Sequence, residues 1–143
     1  MEKIDTVIFY YLDKCIKSYR QFAQRRLNDA GLDITVDQWL VLNTLIEEPG
    51  ISQQLIAEKV FKDAASVTRI IELLVKKKLL KRTAHAEDRR RFSFELTVNG
   101  KALMRSAQKV VSGYRNAALK NVSENSLQSA KQTLVAITQN CEE

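Results

Sequence analysis

The chain has 143 residues with a single proline and four glycines, a length and composition that suit one compact domain with a substantial core. Hydrophobic residues make up 45% and charged residues 28%, which excludes a disordered chain, and the scarcity of Pro and Gly favours helices. The net charge is +6, and it is unevenly placed: Lys59 to Arg91 holds eleven Lys or Arg against four acids, leaving the rest of the chain close to neutral, so the basic middle third predicts a polyanionic partner such as a phosphate backbone.

The N-terminal MEKIDTVIFYYLDK has acids inside its apolar run and no small-residue cleavage site. No later segment approaches the ~20 apolar residues that cross a bilayer. A cytoplasmic protein without membrane contact is expected. Ile4, Val7, Ile8, Tyr11, Cys15, Tyr19, Phe22 and Leu27 recur at steps of three or four residues, predicting one apolar stripe of a long helix that stops near Gly31. Cys15 on that stripe reads as a buried structural thiol ahead of a redox-active one. Cys15, Cys141 and the single His85 are far apart in sequence, so no metal-ligand set is readable, and neither a metal nor a cofactor is expected.

Thr35 followed three residues later by Gln38 has the form of a capping box, opening a second helix with Trp39, Leu42, Leu45 and Ile46 inward until Pro49-Gly50 ends it. Ser52 caps a short helix over about Gln53 to Glu58, and Asp63 caps a longer one reaching about Lys77. Two helices joined by a tight turn are the form of a helix-turn-helix. In the second, Val67, Ile70, Ile71, Leu74 and Val75 form the buried stripe and leave Ala65, Ser66, Thr68 and Arg69 outward. Small and polar side chains let such a helix seat in a major groove, where hydroxyls and Arg reach base edges. Gln53, Lys62 and Lys81 are placed to hold phosphates.

Leu79 to Thr83 and the alternating Phe92 to Leu96 flank a charged tip, Ala84 to Arg91, predicting a β-hairpin. Arg89, Arg90 and Arg91 repel one another there, a cost that polyanion binding relieves. Lys76 to Lys78, by contrast, end a helix, where cations suit the macrodipole before any phosphate does. Thr97 caps a helix from about Val98 to Leu119, and Ser123 caps a last one carrying Leu127, Ala130, Leu134 and Ile137. The predicted class is mainly α with a small β-hairpin, in the order α, α, α, α, β, β, α, α.

This order, with Asp88-Arg89-Arg90 followed after five residues by Leu96-Thr97 and then Gly100, resembles the MarR family of bacterial winged helix-turn-helix transcription regulators. Ser66 to Leu74 and Lys78-Leu79-Leu80-Lys81-Arg82 are similar to the family's recognition helix and its exit into the wing. The resemblance spans nearly the whole chain. It implies a single domain over 1–143, with the winged helix-turn-helix at 34–97 and dimerisation helices at 1–31 and 98–143. It also implies that Ser66, Thr68 and Arg69 face the major groove while Arg90 at the wing tip enters the minor groove, held by Asp88. A guanidinium independently suits that narrow, electronegative groove. The chain departs from the family's wing pattern at His85-Ala86-Glu87. Cys15 lies about a turn later than the cysteine of peroxide-sensing members, and Val36 stands in place of their tyrosine.

The resemblance further implies a homodimer, repression as the usual outcome, and a small aromatic effector. Tyr11, Cys15, Tyr19, Trp39 and Asn43 are the pocket residues it suggests, and core packing is an equal reading of the aromatics. Two other function classes remain: a winged-helix module binding protein or RNA, and an enzyme. The second lacks a Gly-rich phosphate loop, a metal cluster or a nucleophile beside the one histidine. Fluorescence anisotropy with a specific duplex should show Arg90→Ala weakening binding more than Lys77→Ala; equal losses would argue against the wing assignment.

Overall fold

The computed structural model describes residues 1–84 and 92–143. A single 3₁₀ turn, Ile4–Thr6, leads into six α-helices and a two-stranded antiparallel hairpin. These are α1 (Ile8–Asp29), α2 (Val36–Glu47), α3 (Gln53–Val60), α4 (Ala64–Lys76), β1 (Leu80–Ala84), β2 (Phe92–Leu96), α5 (Val98–Ala118) and α6 (Glu124–Cys141). The predicted order holds, with α3 running two residues past its expected end and β1 beginning one residue later.

Side-chain caps start five of the six helices, because the first N–H groups of a helix have no partner of their own. The capping box is reciprocal: Thr35 Oγ1 accepts from the Gln38 N–H at 3.0 Å and Gln38 Oε1 accepts from the Thr35 N–H at 3.1 Å. Ser52, Asp63, Thr97 and Ser123 each accept from the backbone N–H three residues on. Helix α3 ends on Phe61 in the left-handed region at φ 59°, where its side chain is almost wholly exposed. That conformation disfavours a bulky residue.

The core gathers beneath the helix-turn-helix. Leu42, Ile56, Val67, Ile71, Leu74 and Leu80 are fully buried, joining α2, α3, α4 and β1 by the inward stripes that the periodicity predicts. Helix α1 buries Ala23 and Leu27 and meets α5 through an edge-to-face contact of Tyr19 with Tyr114, centroids 5.9 Å apart. The remaining apolar stripe of α1 does not join this core: Ile8, Tyr11 and Cys15 are exposed. Cys15 is therefore no buried thiol in the protomer, and Ile46 of α2 is exposed too. The periodicity identified an amphipathic helix correctly, but a stripe says nothing about which surface covers it. Helix α6 buries no residue at all.

Where the hairpin returns, the chain passes within backbone contact of its own earlier segment. The Thr97 N–H donates to the Leu79 carbonyl at 3.0 Å, and Thr97 Oγ1 both donates to the Lys78 carbonyl at 2.6 Å and accepts from the Gly100 N–H at 3.0 Å. A Cβ at Gly100 would stand 2.2 Å from the Leu79 oxygen, closer than any relaxed contact, and the atom it meets is backbone. Gly100→Ala should therefore destabilise the fold by about 3 kcal/mol, measured as the shift in urea midpoint; a change within experimental scatter would show that the two segments separate freely.

Candidate nucleic-acid interface

The outward side of α4 is shaped by its cap. Asp63 Oδ1 accepts from the Ser66 N–H at 2.8 Å, and the Ser66 hydroxyl donates to Asp63 Oδ2, also at 2.8 Å. Arg69 Nη2 in turn donates to Ser66 Oγ at 3.2 Å. The chain Asp63–Ser66–Arg69 thus presents a guanidinium one turn into the helix, with exposed Ala65 beside it. These hydrogen bonds to Ser66, the backbone one first, hold the Asp63 carboxyl below its ordinary value.

Thr68 is half-buried and already engaged. Its hydroxyl lies 3.0 Å from Gln53 Oε1 and 3.0 Å from the Ala64 carbonyl, so its one proton is shared between two acceptors. This ties the start of α3 to α4. Gln53, expected at a phosphate, therefore has its carbonyl oxygen on Thr68 while its amide N–H₂ stays available as a donor. The two other residues expected at phosphates are also paired: Lys62 Nζ lies 3.2 Å from Asp37, and Lys81 Nζ lies 3.9 Å from Glu95, its partner across the hairpin. Both are ion pairs open to water, weak enough for a phosphate to displace. Asp37 additionally pairs with Arg20.

Lys77, expected to serve the end of its own helix, reaches other elements instead. Its Nζ donates to the Asp33 carbonyl at 3.1 Å and contacts Gln38 Oε1 at 3.4 Å, fastening the end of α4 to the α1–α2 connection. Asp88, Arg89, Arg90 and Arg91, with His85, lie outside the described residues.

A cavity of about 1150 Å³ opens between α2, the hairpin and α5, lined among others by Trp39, Asn43, Phe94, Met104, Arg105 and Arg115. Trp39 and Asn43 were expected in a pocket, and both line this one. Tyr11, Cys15 and Tyr19 do not: the first two are exposed on α1, and Tyr19 packs on Tyr114. The hairpin and α5 supply the walls instead, contributions that only the folded chain brings beside α2. The Arg115 guanidinium lies over the Trp39 ring at 5.4 Å from its centroid, and the buried Trp39 Nε1 has no acceptor among the described residues. Among those residues, no group of three His, Cys, Asp or Glu could hold a metal, and no helix is long and apolar enough to cross a membrane.

The cap gives a pH-dependent expectation. Because folding lowers the Asp63 pKa, its stabilisation is complete above the ordinary aspartate value of about 3.9 and is lost as pH falls through the lower folded-state value. Asp63→Asn, which keeps an acceptor but cannot titrate, should flatten the stability profile below about pH 4; an unchanged acid limb in thermal melts would contradict the assignment of the shift to this cap.

Comparison with known proteins agrees with this architecture. The family model described as "MarR family" matches residues 32–91. A putative transcriptional regulatory protein for the hcr operon of Thauera aromatica is 31% identical over 97 residues, spanning 67% of this chain and 57% of that protein's length. Of the solved structures, the S. aureus MepR–DNA complex superposes with a TM-score of 0.85 at 22% identity, covering 97% of this chain and 99% of that one. Bordetella bronchiseptica BpsR, from work on its regulation by 6-hydroxynicotinic acid, superposes at 0.86 with 20% identity, covering 96% and 97%. Six helices about a single hairpin among the described residues, the helix-turn-helix at α3–α4 and these matches point the same way: the chain has the winged helix-turn-helix fold and is similar, over residues 32–91, to the MarR family.

Proposed function

We propose that the protein is a cytoplasmic, homodimeric transcription regulator that binds a specific double-stranded DNA sequence, represses by occupying it, and is released by a small aromatic effector. The observation that carries this reading is the outward face of α4, where Ala65, Ser66 and Arg69 stand clear of the core with the arginine anchored on the capped serine. Such a face suits the major groove. In this reading Gln53, Lys62 and Lys81 position the chain on phosphates, and Arg89, Arg90 and Arg91 reach the minor groove with Asp88 orienting them. Residues 34–97 form the DNA-binding portion of the single 1–143 unit.

The terminal helices support the dimer. Ile4, Ile8, Phe9, Tyr11 and Ile16 are exposed at one end of the chain, and Leu119, Val122, Leu134 and Val135 at the other. Uncovered apolar surface of this extent on 1–31 and 98–143 calls for a partner, and a second copy would set two recognition helices about one DNA turn apart. The cavity supports the effector: its Trp39 and Phe94 walls suit an aromatic ring, and the orphaned indole N–H and Arg115 suit an acceptor or anion on it.

Selection of bound sequences from a random duplex pool tests the reading. The expected product is a pseudo-palindrome with half-sites about 10 base pairs apart, bound with an affinity that falls steeply with salt. Weak, salt-insensitive binding with no enriched sequence would instead favour a winged-helix module for protein or RNA.

A further inference from the structure

Asp37 holds the positions of two cations from two other elements. It sits in the first turn of α2, where a carboxylate also suits the helix dipole. One oxygen takes Arg20 of α1, and the other takes Lys62 of the α3–α4 turn at 3.2 Å. All three side chains are roughly one-third exposed: 39% for Arg20, 29% for Asp37 and 31% for Lys62. The attraction is thus less screened than in a fully hydrated pair, yet still open to exchange with an outside anion. Lys62 immediately precedes Asp63, the cap of the recognition helix.

We infer that Asp37 is a positioning residue for Lys62: it stores the ammonium beside the recognition helix and yields it to a DNA phosphate, while Arg20 decides how tightly it holds on. The inference rests on the DNA-binding reading above. One carboxylate shared by two cations binds each less strongly than it would bind one alone, because each cation offsets part of the field felt by the other. When Lys62 turns to a phosphate, Arg20 keeps Asp37 paired, so no half-buried charge is left without a counter-ion. The position of Arg20 along α1 therefore sets the ease of that release. Because α1 is one of the terminal helices, the triad links the terminal part of the chain to a phosphate contact through the Asp37 carboxylate.

The sign of each substitution follows. Asp37→Asn removes the competitor for Lys62 and should tighten DNA binding roughly two- to fivefold, the range of a single partly exposed ion pair. Arg20→Gln leaves Asp37 with Lys62 alone and should weaken binding by a similar factor. Lys62→Ala should weaken binding and lower the slope of log affinity against log salt by about 0.9, one phosphate contact.

The test is a double-mutant cycle, reading anisotropy of the full chain on the duplex recovered by selection and on a scrambled duplex of equal length, across a salt series. In the Lys62→Ala background the effects of Asp37→Asn and Arg20→Gln should both vanish. A general gain of positive charge, or a merely structural role in α1–α2 packing, would leave them intact; persistence of either effect overturns the inference. So does an unchanged salt slope for Lys62→Ala on a duplex the wild-type chain binds, with the DNA-binding reading left standing. A wild-type chain that binds neither duplex in a salt-dependent way overturns both. Thermal melts of each variant separate loss of fold from loss of contact.

Discussion

The Leu79 carbonyl oxygen is where three parts of the protein meet without room for a side chain. It accepts the Thr97 N–H and stands where a Cβ at position 100 would lie 2.2 Å away. The exit of α4, the return of β2 and the first turn of α5 are therefore held at one point. Thr97 completes the joint by capping α5 with the same hydroxyl that reaches the Lys78 carbonyl. The consequence is mechanical: α4, the hairpin and α5 cannot be displaced independently near this joint. The cavity between α2, the hairpin and α5 has two of its walls in that unit, which would give the proposed effector a route to α4.

Most of the fold was legible because its signals are local. Thr35 with Gln38, then Ser52, Asp63, Thr97 and Ser123, each satisfy an N–H three residues away, and a relation of that length is written in consecutive residues. The inward stripe of α4 was legible for the same reason, since its neighbours on α2 and α3 belong to the same compact unit. The stripe of α1 shows the boundary of such reasoning. Its spacing is as regular as that of α4, yet Ile8, Tyr11 and Cys15 face outward in the protomer, because periodicity reports an apolar face and not its partner.

The candidate site divides along the same line. Ala65, Ser66 and Arg69 could be placed outward from helical spacing alone, and their exposure or partial exposure agrees. The bond between Thr68 and Gln53 joins residues fifteen apart, and the Asp37–Lys62 pair joins α2 to the α3–α4 turn. Neither has a sequence signal, since only the crossing of helices brings them together. The cavity is similar: Trp39 and Asn43 were readable as aromatic and polar residues on α2, whereas Phe94, Arg105 and Arg115 became neighbours only through the hairpin and α5.

The central claim is that α4 reads base edges in the major groove through Ser66 and Arg69. Replacing each purine of the selected duplex in turn by its 7-deaza analogue removes a major-groove acceptor while preserving base pairing. The account predicts one or two positions per half-site at which the analogue weakens binding of the wild-type chain by about tenfold, a loss in the range of one base-edge contact, with little further loss for Arg69→Ala. Full affinity at every analogue position would contradict it.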